Sequence, residues 1–125
     1  HALMAFETVV MTPEDFAEWL TAEAEAATAP ASGEAVRGAQ VFTREGCGAC
    51  HSVRGTQAVG QVAPDLTHVG SRKSIGAGIL NGSEEDFARF IAHTESLKPE
   101  VAMPSYDHIA PEDLRALVAY LKGLT

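Results

Sequence analysis

Apolar residues recur at helical spacing in three blocks of this chain and alternate in one. Leu114, Leu117, Val118 and Leu121 keep a three-and-four rhythm through residues 111–122, with Pro111 at the start and Gly123 as the stop, which predicts a helix. Residues 84–94 repeat the pattern with Phe87, Phe90 and Ile91 behind the cap residue Ser83. Residues 34–45 set Gly38 and Phe42 four apart on one face. A fourth helix is announced mainly by its start: Thr12 as N-cap, Pro13 in the first helical position, then Glu14 and Asp15 near the positive end of the dipole. Phe16, Trp19 and Leu20 give it one apolar face. Residues 5–11, Ala-Phe-Glu-Thr-Val-Val-Met, partly alternate and read as a short strand with no partner elsewhere in the chain.

Between the first helix and the second, residues 21–33 shift to Ala, Glu, Thr, Pro and Ser without apolar anchors. We read 21–32 as a flexible linker and 33–125 as the main domain, with its boundary near Ser32. The fold class expected is all-α. Two of its loops, 52–82 and 95–110, are long for a compact domain, and wrapping a cofactor is a reason for such length.

Composition sharpens this picture in a few places. Hydrophobic content of 46% and charged content of 21% are ordinary for a globular chain and exclude wholesale disorder. Aromatic content is only 6%, so a large apolar cofactor would supply bulk that the side chains lack. A formal net charge of −8 disfavours nucleic acid and favours a basic or neutral partner. No apolar run approaches the roughly 20 residues that span a bilayer, and no segment reads as a signal peptide. Because the chain begins at His1, we expect it to continue a longer protein, with any membrane anchor upstream.

The chemistry is concentrated in Cys47-Gly48-Ala49-Cys50-His51, the C-x-x-C-H pattern of haem attachment. Two thiols three positions apart each add to one vinyl group of a haem edge, and the adjacent His then lies beneath the iron. Three other readings compete. A thioredoxin-like dithiol wants a preceding strand, but this pair follows a helical pattern. A structural zinc site needs four ligands, and there is no second Cys pair. A local disulfide leaves His51 unexplained. For the sixth iron position, Met103 lies on the loop between Pro99 and Pro111, stiffened by Pro104, whereas Met4 and Met11 precede the linker. His68, His93 and His108 are alternative ligands, each more commonly a surface or capping residue.

From Ser32 onward the chain resembles class I cytochromes c. The resemblance rests on Gly38-Ala39-Gln40-Val41-Phe42, the C-x-x-C-H motif, Ala63-Pro64-Asp65-Leu66-Thr67, Lys98-Pro99, Met103-Pro104 and Leu117-Val118-Ala119-Tyr120-Leu121, in that order. It implies a few helices around one covalent haem c, with the Pro64 carbonyl bound to the free ring nitrogen of His51. It further implies that Gly38 and Phe42 cross the last helix near Tyr120. Arg72 is either a haem propionate partner or a solvated surface residue.

The first twenty residues resemble the end of the copper domain in subunit II of a haem-copper cytochrome c oxidase. They run His1-Ala2-Leu3-Met4, a strand-like stretch, then Phe16-Ala17-Glu18-Trp19-Leu20 in the F-x-x-W-L pattern. The stretch His68-Val69-Gly70-Ser71-Arg72, with Ile75 and Gly78, is similar to the fused cytochrome domain of caa-type oxidases. This implies His1 and Met4 as copper ligands in the intact parent, although the bridging cysteines of that centre are absent here. The function so implied is electron transfer from a small soluble redox protein to the copper centre of the same subunit. It would proceed on the outer face of the bacterial membrane, which the domain meets only through its parent, and without substrate chemistry of the domain's own. A free-standing or differently fused carrier is the alternative, and an open-site haem enzyme or sensor a third.

Overall fold

The structure, a computed structural model, describes residues 6–125. His1 and Met4 lie outside the described residues, as does the start of the strand expected over 5–11. Residues 6–11 form no strand. Their β-branched side chains find no second strand to pair with, and an isolated extended segment gains nothing from its own backbone.

Four of the five helices start as the sequence predicts. Thr12 caps α1 (Pro13–Ala24) by accepting from Asp15 N at 3.1 Å, with Pro13 in the first turn. Ser32 caps α2 (Gly33–Arg44) through Ala35 N at 3.0 Å, and Ser83 caps α3 (Glu84–Ala92) through Asp86 N. The helix expected over 84–94 breaks at His93 and resumes as the single turn α4 (Thr94–Leu97). Thr94 Oγ1 donates to Phe90 O, which draws the chain into a new turn at this point. The last helix, α5, spans Pro111–Gly123. In the long central loop the chain makes a one-turn 3-10 helix at Val69–Ser71 and a small antiparallel ladder of β1 (Ser74–Ile75) on β2 (Leu80–Asn81).

The core is the crossing of α2 and α5. Val41, Phe42, Leu117, Val118, Tyr120 and Leu121 are buried there, and α3 adds Phe87 and Ile91. A Cβ built on Gly38 would lie 1.9 Å from Ala116 O and 2.7 Å from Tyr120 Cβ, so this position holds the two backbones together by having no side chain. Phe42 and Tyr120 then meet edge to face, their centroids 5.5 Å apart and their planes at 65°. Outside the crossing, Asp113 accepts from Arg37 and from Arg44 (2.8 Å), while Glu45 accepts from Arg44 at 2.9 Å and contacts His108 Nε2 at 3.0 Å. The Arg44 and Arg37 hydrogen bonds hold the Asp113 carboxyl below the usual carboxylate range. His108 and Arg44 do the same for Glu45. Both contributions to stability are therefore present above that range and are lost as pH falls below it, through the depressed values of the folded state.

α1 stands apart from this core and buries none of its residues. Phe16, Trp19 and Leu20 remain about half exposed, so the apolar face legible in the sequence is not covered by this domain.

Replacing Gly38 with Ala tests the crossing. Helix propensity favours Ala by about 1 kcal/mol, but the new methyl meets backbone rather than a flexible side chain, and overpacking costs ~1–3 kcal/mol or more. We expect net destabilisation of about 2 kcal/mol, read as a lower urea midpoint by circular dichroism. An unchanged or raised midpoint would show that the helices do not touch at this position.

Candidate haem site

The motif segment begins where α2 must end. Gly46 takes a left-handed conformation (φ 73°), and the next residues wind into a 3-10 turn, Cys47–Ala49. His51 N donates to Cys47 O at 3.0 Å, so both cysteines and the histidine belong to one compact turn. Loop 59–66 is laced onto it: Gly60 N donates to Gly48 O and His51 O, Ala63 N to Cys50 O at 2.9 Å, and Leu66 N to Ser52 O at 2.8 Å. Gly60 sits so close that a Cβ there would lie 2.3 Å from the Cys50 carbonyl carbon.

This lacing carries the Pro64 carbonyl to 2.7 Å from His51 Nδ1. A carbonyl can only accept, so Nδ1 carries the proton and the Nε2 lone pair is left free. Both thiols are free as well; Cys50 is exposed and Cys47 partly buried. Burial pushes the Cys47 thiol up to about 11. A redox dithiol instead depends on a depressed thiol pKa, so the local electrostatics run against a thioredoxin-like role. Among the described residues no three His, Cys, Asp or Glu side chains gather into a metal set of the zinc kind.

Met103 is partly buried and packs against the core cluster, as does Tyr106 on the same loop. Tyr106 N donates to Ile91 O at 3.0 Å, anchoring that loop to α3. The Tyr106 hydroxyl is pushed up by burial first and then by Cys47 and Cys50. Arg72 is exposed and donates to Asp65 O at 2.7 Å, one residue beyond Pro64. Together with Trp19, Glu23, Arg54, Asp65, His68 and Ser71 it lines a cavity of about 270 Å³. Of the alternative histidines, His93 caps α3 at the surface and His108 is engaged with Glu45. His68 differs, since its Nε2 is buried without a hydrogen-bond partner.

A family model for cytochrome c matches residues 35–125. The chain belongs to the cytochrome c family. The family implies haem binding and haem-based electron transfer, and the residues of this cytochrome c fit that group. One imidazole nitrogen is oriented and the other left free, the thiols beside it are unpaired, and a buried polar atom on His68 lacks a partner. The chain is 34% identical over 124 residues to cytochrome c oxidase subunit 2 of Alkalihalophilus pseudofirmus, covering 99% of this chain and 35% of that protein. It is 28% identical to cytochrome c oxidase subunit 2 of Bacillus subtilis, again over 99% of this chain and 36% of the relative. The gluconate 2-dehydrogenase cytochrome c subunit of Pantoea cypripedii is 33% identical over 97 residues, which are 68% of this chain and 22% of that protein. The chain thus spans about a third of the length of the oxidase subunits it matches.

Several residues of this cytochrome c escaped the sequence reading. Gly60 is required by a close backbone approach, and an isolated glycine in a long loop carries no mark of that. Thr67 is fully buried and accepts from Arg54 N at 2.9 Å, while its own N–H donates to Asp65 Oδ1. The Asp-x-Thr spacing is a turn pattern that would have suggested it. Tyr106, one tyrosine on a loop, has no periodicity to mark it.

Proposed function

We propose that this chain carries one haem c, joined to Cys47 and Cys50 by thioether bonds, with His51 and Met103 as its axial ligands. The observation that carries the reading is the His51–Pro64 hydrogen bond, which leaves Nε2 free beside two unpaired thiols. When bound, haem supplies a one-electron ferrous/ferric couple. Pro64 fixes the tautomer and ring orientation of His51, and Met103 would hold the group with a soft thioether that favours the reduced state. With both residues holding the group, the domain would act as an electron carrier without substrate chemistry of its own. His68, with its unpartnered Nε2, and Arg72 line the same cavity and are the groups best suited to a haem propionate.

We further propose that the domain is the cytochrome portion, residues 33–125, of an oxidase subunit, with residues 1–20 as the end of a copper domain and 21–32 as the connection. It would take electrons from a small soluble redox protein and pass them to the binuclear copper centre of the same subunit, on the outer face of the bacterial membrane. Among the described residues no helix is long and apolar enough to cross a membrane. Support comes from the extent of the likeness: the oxidase subunits match over 99% of the chain, residues before the cytochrome domain included, but the dehydrogenase subunit over 68%. A differently fused carrier is the second reading, favoured by that dehydrogenase match.

Met103→Ala should abolish the far-red sulfur-to-ferric-iron absorption band, lower the reduction potential and admit cyanide readily. If the unaltered protein already lacks the band and binds cyanide fast, Met103 is not a ligand and the closed-site carrier reading fails. For the oxidase role, Cys47→Ala with Cys50→Ala in the full subunit should slow donor-driven oxygen uptake while directly reduced copper stays competent. Unchanged turnover would place the haem off the electron path.

A further inference from the structure

α1 poses a physical problem. A helix of 12 residues is marginal alone in water, and this one buries no side chain. Its last turn also carries no basic residue, although that is where a cation would offset the partial negative charge of the exposed carbonyls. The main domain supplies what is missing. The Arg54 guanidinium donates through Nη2 to Glu23 O and to Glu25 O (3.2 Å), the last turn of α1 and its cap residue. Through Nη1 it also binds Asp65 Oδ2 at 3.2 Å. The main chain of the same residue completes the seat, because Ala27 N donates to Arg54 O at 2.9 Å. Next to it, a Cβ on Gly55 would lie 2.9 Å from Ala26 Cβ, so the extension passes against a position that has room only for glycine. Ala27 itself packs against the core cluster.

We infer that Arg54 is a positioning residue that caps α1 from across the chain and fixes where the N-terminal extension leaves the cytochrome domain. The inference stands on these contacts and does not depend on the oxidase reading. Residues 23–27 are then a seated strap, and free movement of the connection is confined to the residues between Ala27 and Ser32. Only arginine suits the role: a planar fork with several fixed donors can hold two carbonyls and a carboxylate at once, whereas a lysine ammonium is a single point on a flexible stem. The seat lies on Asp65, next to the residue whose carbonyl holds His51. Anything joined to the N-terminal side of α1 is therefore held at a set place relative to the haem ligand loop. For an electron carrier this matters, because transfer weakens steeply with separation and a fixed exit limits which separations occur.

The test uses the haem-loaded full chain and compares wild type, Arg54→Ala and Arg54→Lys by amide hydrogen exchange and limited proteolysis. The Ala27 amide is the diagnostic probe: its acceptor is the main-chain carbonyl of residue 54, which survives either substitution. Arg54→Ala should speed Ala27 exchange at least tenfold and open residues 25–32 to cleavage, with Arg54→Lys in between. The Leu66 amide, bound to Ser52 O within the main domain, should be unchanged. Should Arg54→Ala not accumulate as folded haem protein, Arg54→Gln carries the same comparison. Unchanged Ala27 exchange in the Ala variant overturns the proposal. So does equal acceleration at Ala27 and Leu66, which would make Arg54 a structural residue of loop 52–67 alone.

Discussion

Helices α2 and α5 can cross at backbone contact only because residue 38 has no side chain, and the placement of everything else follows from that approach. With Ala116 O where a Cβ would stand, the two helices form a single packed unit in which Phe42 and Tyr120 lock edge to face. α2 then ends at a fixed point, and the left-handed Gly46 turns the chain directly into the cysteine pair. A looser crossing would leave the C-x-x-C-H turn at the end of a swinging helix. The Arg37, Arg44 and Asp113 cluster closes the same junction from the solvent side, where screening keeps its contribution small.

The chemistry of the site rests on backbone as much as on side chains. Hydrogen bonds from residues 60, 63 and 66 to residues 48–52 lay one loop along another, and their result is a carbonyl aimed at His51 Nδ1. That contact decides the tautomer, and the tautomer leaves Nε2 as the nitrogen with a free lone pair. The half-buried Cys47, with its thiol pushed up to about 11, sits in surroundings that disfavour charge, which suits the neutral thioether proposed for it better than a redox nucleophile. Cytochrome c family membership and local geometry thus point the same way from independent observations.

Much of this was legible in the sequence because it is local. Thr12 and Ser83 cap the helices they precede, Pro111 opens α5, and the spacing of Leu117, Val118 and Leu121 marks the buried face. What escaped was non-local or competitive. The alternating run at residues 6–11 has strand propensity but no partner, so propensity had nothing to act on. The break at His93 arises when Thr94 takes a helix carbonyl, a choice periodicity does not register. The Arg54 clamp joins residues about thirty positions apart through main-chain carbonyls, which every residue has and no pattern reveals. The apolar face of α1 is plain in the spacing of Phe16, Trp19 and Leu20, but exposure is a tertiary property that spacing does not carry.

The most direct test of the central claim, one haem held by two thioethers, is the mass of the denatured protein after expression with the bacterial attachment machinery. The account predicts a single species at the mass of the polypeptide plus one haem, still coloured after acid extraction and with no titratable thiol. A species at apoprotein mass, with both thiols free or bound to zinc, would contradict it.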